Sequence, residues 1–222
     1  MFCGKDESFG PMNREHFAFK GLWGGPRPNG TKTLPAHTSC NKKFSEDNEY
    51  FRDVLAMEAD AEQHPEVKRL RNGKLNRKIR SRPGAVAKIL KNLRSVPQFT
   101  PSGLYIGDAL KFDVDWPRME RVLQNVIKGV YYTVVGEPLP QECIIRVIDV
   151  TDREITDESH LRVIELMVGW QSFGDDVFRC QYVTGNSVPR INCLMQFYRK
   201  RCFLGEAMTQ SLIDEIESIQ KQ

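Results

Sequence analysis

Apolar positions are spaced unevenly along the chain, and their rhythm changes more than once. Residues 1–40 hold few of them among Gly, Pro, Asn and Thr, a composition suited to turns and short hairpin strands. From Ser39, which can cap a helix, Phe44, Tyr50, Phe51, Val54, Leu55 and Met57 fall broadly on one helical face. The pattern predicts a helix fading near Gln63, His64 and Pro65. Asn72–Gly73 and Pro83–Gly84 then read as breaks, with a short helix over 85–93.

Beyond residue 108 the pattern is that of an α+β domain. Asp115 or Trp116 with Pro117 marks a helix start, and Met119, Val122, Leu123, Val126 and Ile127 form its apolar stripe. The apolar runs 143–150, 161–170, 177–183 and 191–203 predict strands of an antiparallel sheet, with Gly174 and Gly185–Asn186 supplying turns. Residues 212–219 predict a closing amphipathic helix. The expected fold class is α+β in three parts: a small N-terminal module over 1–62, a basic helical linker over 63–107, and an antiparallel sheet with helices over 108–222.

Charge sharpens this division. The stretch 67–107 carries eleven cations and no acidic residue: Lys68, Arg69, Arg71, Lys74, Arg77, Lys78, Arg80, Arg82, Lys88, Lys91 and Arg94. Such a run repels itself unless an anion lies nearby, and nucleic acid is the commonest anion of that size. Arg69, Arg71, Lys74, Arg77, Lys78, Arg80 and Arg82 are therefore expected to grip a phosphate backbone, DNA being the first expectation. The segments on either side are net acidic. No run of 18 apolar residues suggests a membrane span. Lys5, Asp6 and Glu7 occupy the place of a signal peptide's apolar core. A cytoplasmic protein is expected, and a homo-oligomer remains open.

Six cysteines divide into two groups. Cys143, Cys180, Cys193 and Cys202 lie in strand-like apolar runs and read as reduced core residues. Cys3 and Cys40 sit in polar surroundings. His37 and Cys40 form a His-x-x-Cys step entering a helix, a common half of a tetrahedral zinc site. A segment so poor in apolar residues is expected to need a bound metal to hold it.

Glu15 precedes His16. An adjacent carboxylate and imidazole point to opposite faces of a regular strand, yet on a bent strand they can serve one centre. The carboxylate would hold a hard cation and the neutral imidazole would accept a proton from water. Asn41, on the first turn of the helix, could add a carbonyl oxygen.

Taken in order, Cys3–Gly4, then Glu15–His16–Phe17, then His37–Thr38–Ser39–Cys40–Asn41 resemble the HNH endonuclease family, over residues 1 to about 55. The resemblance implies a ββα-metal module with a zinc knuckle, in which His16 is the general base. Glu15 and Asn41 would hold the catalytic divalent ion, Mg or Mn, with Zn or Ni also able to serve. Cys3, His37 and Cys40 would hold a structural zinc. The implied activity is metal-dependent hydrolysis of phosphodiester bonds. Three positions depart from the family pattern. The knuckle's first cysteine would fall before Met1, the middle Asn falls at Thr31–Thr33, and Asn41 stands where many members have His. Water, Asp6 or the terminal amine could complete the zinc. An alternative reading keeps the knuckle as scaffold for a catalytically inactive nucleic-acid-binding protein. A third, an assembly protein, would pair the basic stretch with an acidic partner.

Overall fold

The computed structural model describes residues 8, 10–16, 18–28, 32–151, 155–174, 176–185 and 188–220. The chain opens with a two-stranded antiparallel ribbon, β1 (Met12–His16) and β2 (Thr33–His37), whose register sets Glu15 opposite Leu34 and His16 opposite Thr33. β2 runs straight into α1 (Thr38–Met57). Ser39 lies inside this helix rather than at its cap. The capping position falls to His37, and the first helical amide, from Thr38, donates to the carbonyl of Pro11 at 2.9 Å. A carbonyl just before β1 thus satisfies an end group that a hydroxyl was expected to serve.

After a 3-10 turn, α2 (Pro65–Leu70), a π-turn over Arg71–Leu75 and α3 (Asn76–Ser81) form one continuous helical run. Asn72–Gly73 does not break it. The wider turn accommodates the glycine and keeps Leu70 and Leu75 both buried. Pro83 does mark a break, because Arg82 leaves helical geometry and Pro83 opens α4 (Pro83–Ile89). The expected linker is not helical throughout. Residues beyond α4 form a hairpin of β3 (Arg94–Phe99) and β4 (Tyr105–Lys111).

α5 (Trp116–Val135) starts as expected and ends on Gly136 in the left-handed conformation. A five-stranded antiparallel sheet follows, built from β5 (Cys143–Asp149), β6 (Gln171–Phe173), β7 (Phe178–Thr184), β8 (Arg190–Phe197) and β9 (Arg201–Thr209) in the order β5-β9-β8-β7-β6. Two expectations are corrected here. The start of run 161–170 belongs to a helix, α6 (Glu158–Glu165), because Val163, Ile164 and Met167 together cover Val150 and Leu204 on the sheet. The run 191–203 is two strands folded back at Tyr198 and Arg199, both with positive φ. α7 (Gln210–Gln220) closes the chain.

One hydrophobic core joins the ends of the chain. Phe51 of α1 is fully buried, with its ring 6.1 Å from Phe19, 5.1 Å from Phe197 and 6.3 Å from Phe203. α5 lays Met119, Val122, Leu123, Val126 and Ile127 into the same cluster. It presses on the sheet where β9 carries Gly205. A Cβ there would stand 2.3 Å from the terminal carbon of Ile127. Leu22 and Trp23 are buried in this core too, and the Tyr198 hydroxyl donates to the carbonyl of Leu22 at 2.7 Å. The N-terminal segment was expected to rely on metal for want of apolar residues. Its described part also contributes Phe19, Leu22, Trp23 and Leu34 to a core built mostly by the rest of the chain.

Candidate active site

β1 ends at His16, and at Ala18 the backbone is no longer extended. Ala18 is buried and adopts φ 52°, a left-handed conformation unfavourable for a residue with a Cβ. The bend lets two neighbours that a straight strand would separate face one space. Glu15, His16 and Asn41 all line a cavity of about 30 Å³, together with Phe19, Phe44 and Asn48. Glu15 and Asn41 also line an adjoining open cleft of about 280 Å³, where Lys20, Ser45 and Arg52 join them. The smaller cavity is thus the more enclosed and more apolar of the two, and charged side chains gather at the more open cleft.

Electrostatics differentiate the two titrating groups. Burial raises the Glu15 carboxyl above its ordinary value, while a hydrogen bond from Asn41 and the charge of Arg27 act in the opposite direction. Burial lowers the His16 imidazole, and the charges of Arg27 and Lys20 lower it further. The neutral imidazole, the form able to accept a proton, is favoured. Among the described residues His16 Nδ1 is buried without a hydrogen-bond partner, as are Nε and Nη1 of Arg27.

The donors present suit a hard divalent cation. The Glu15 carboxylate and the amide of Asn41, which hydrogen-bond each other, offer oxygen ligands on the edge of an open cleft. Magnesium is commonly held in that way, by one or two protein oxygens with the remainder from water and phosphate. The zinc residues are a different matter. Cys3 lies outside the described residues. His37 is buried at the start of α1, and Cys40 is half-buried on its first turn. Among the described residues no group of three His, Cys, Asp or Glu side chains is placed to hold a metal ion.

The basic stretch is divided by the fold. Lys78 is buried, with its ammonium 2.6 Å from Asp53 and 2.9 Å from Glu49. Arg71 donates to the carbonyls of Ala56 and Glu58, both at 2.6 Å, and pairs with Glu62. Lys74 donates to the Trp23 carbonyl at 2.6 Å. Arg69 pairs with Glu66, whose other oxygen accepts from the amides of Gly24 and Gly25. Arg82 is exposed but reaches Glu49 at 3.2 Å. Arg77 and Arg80 project into solvent, as do Lys88 and Lys91. Acidic partners from α1, the following turn and the start of α2 thus pair with Lys78, Arg82, Arg71 and Arg69 in a run that has none within itself.

Val122, Asn125 and Val126 of α5 also line the cavity at His16, a contribution that sequence reasoning missed. Their helix was legible, but nothing in its pattern says that it lies against residues more than a hundred positions earlier. No protein-family model, no curated protein and no solved structure matches the chain. No described helix is long and apolar enough to cross a membrane.

Proposed function

We propose that this chain is a metal-dependent nuclease of the HNH type, hydrolysing phosphodiester bonds of nucleic acid, with DNA as the first substrate to test. The observation that supports it is the convergence of Glu15, His16 and Asn41 on one cavity at the edge of an open cleft. His16 accepts the proton of the attacking water. Glu15 and Asn41 hold the divalent ion, Mg or Mn, with Zn or Ni as alternatives. Bound there, the ion would supply positive charge to neutralise a phosphate. Lys20 lines the open cleft and brings a further cation beside the scissile group. Arg77, Arg80 and Arg82 offer exposed charge for sequence-independent contact with the backbone. A structural zinc on Cys3, His37 and Cys40 belongs to the same proposal.

The test is cleavage of supercoiled plasmid and of labelled single-stranded DNA and RNA, with added Mg²⁺ or Mn²⁺. The wild type should cut at least one of these. His16→Ala should lower the rate by about 10²- to 10⁴-fold, the usual contribution of a general base. If the wild type binds nucleic acid but cuts nothing with either metal, the chain is the inactive binding protein instead.

A further inference from the structure

The cavity beside His16 holds more polar groups than proton transfer needs. Besides Glu15, His16 and Asn41 it is lined by two further amides, Asn48 of α1 and Asn125 of α5. Both are half-buried, and neither side chain hydrogen-bonds to another described residue. Their amides stay accessible to solvent, so either can hydrogen-bond a molecule that enters this space. His16 Nδ1, by contrast, is buried and has no hydrogen-bond partner among the described residues; buried polar groups are nearly always paired, so this one points to a molecule that the space receives. The volume of about 30 Å³ admits one water, which needs two to four polar partners. Ala18, Phe19, Phe44, Val122 and Val126 complete the lining with apolar surface. Such walls strengthen any hydrogen bond formed inside.

On the nuclease reading above, we infer that Asn125 is a positioning residue for His16, acting through a water bound in this cavity. His16 Nδ1–H donates to the water. The water donates in turn to the amide oxygens of Asn125 and Asn48. This fixes the ring orientation and leaves Nε2 as the proton acceptor. The site is then completed by a helix that begins at Trp116, and the module over 1–62 is not sufficient by itself.

The test uses the full chain with Asn125→Leu, which keeps the size but removes the amide, and Asn125→Ser, which keeps a small polar group. With a substrate that the wild type cuts, Asn125→Leu should lower kcat by about tenfold with KM little changed, and Asn125→Ser should recover most of the loss. A readout independent of activity is the side-chain ¹⁵N spectrum of histidine-labelled, metal-free protein. The His16 Nδ1 resonance should move in Asn125→Leu and stay in place in a control, Val134→Ala, on the same helix. If Asn125→Leu fails to fold, the spectrum and kcat of Asn125→Ser against wild type decide, with a smaller shift expected. An unchanged His16 resonance, or an unchanged kcat in an active enzyme, overturns the inference. Absence of cleavage by the wild type overturns the nuclease reading, and the spectrum still decides whether Asn125 contacts His16.

Discussion

The ammonium of Lys78 lies 2.6 Å from the carboxylate of Asp53, and both side chains are buried between α1 and α3. Glu49 at 2.9 Å and Arg52, which also donates to Asp53, extend the pair into a network. Removing one partner leaves an uncompensated buried charge. Asp53→Asn or Lys78→Met should therefore each cost about 3–5 kcal/mol, read from urea unfolding. The double variant Asp53→Leu/Lys78→Met should cost less than the sum of the two.

Arg77 and Arg80 lie on the same helical run but project into solvent. Replacing both by Ala should alter stability by no more than about 0.5 kcal/mol. The same change should weaken nucleic-acid binding across all sequences and flatten the dependence of log K on log salt by roughly one to two units. Binding isotherms at several salt concentrations check both points. Unaltered binding would remove these arginines from the interface.

Glu58 gives the fold a pH dependence. Burial raises its carboxyl to about 7. Arg201, 2.7 Å away, opposes this but is shared with Asp149 at 3.3 Å, and Asp149 and Asp60 add repulsion. The folded state therefore binds a proton that the unfolded state, with an ordinary value near 4.5, has released. Stability from this group is complete below the unfolded value and is lost as pH rises through 7. The loss is on the order of 1–3 kcal/mol. Glu58→Gln should flatten the profile between those values, and thermal melts across pH check it.

The N-terminal segment is tied to the sheet by Tyr198, whose hydroxyl reaches the Leu22 carbonyl at 2.7 Å. Tyr198→Phe should cost about 1–2 kcal/mol, because a buried carbonyl loses its donor. Hydrogen exchange should rise around residues 19–25 more than in β7 and β8. Uniform protection would show that the bond is not what holds the segment.

Metal content separates the two proposed sites. Asn41→Ala should weaken Mn²⁺ binding by about tenfold or more, and Asn41→His should retain it. Neither change should alter tightly held zinc. Cys40→Ser should lower zinc below one per chain without removing Mn²⁺ affinity. Elemental analysis and titration of the purified protein check both.

Much of the architecture was legible because local patterns and the final packing agree. Pro117 before an apolar stripe marked the start of α5, a β-branched apolar run located β5, and the run 177–183 located β7. The turn between β8 and β9 was not legible. It uses Tyr198 and Arg199 where a tight hairpin favours Gly or Asn. Their left-handed backbones are held by tertiary contacts: the Tyr198 ring is buried, and Arg199 pairs with Asp176 at 2.8 Å. The helix α6 was missed because Leu161, Val163 and Ile164 suit either a strand or a helix face, and only the apolar surface of β9 distinguishes them.

The order of Glu15, His16, His37, Cys40 and Asn41 along the chain determined which chemistry to seek, since ligand type and spacing are properties of the sequence. Only the tertiary structure decided which cations remain free and what closes the site. Lys78 and Arg71 meet carboxylates and carbonyls supplied by α1 and the turn after it, while Val122 and Asn125 line the same cavity as His16. Charge and burial depend on neighbours in space, and those neighbours are set by how α1, α5 and the sheet pack around Phe51.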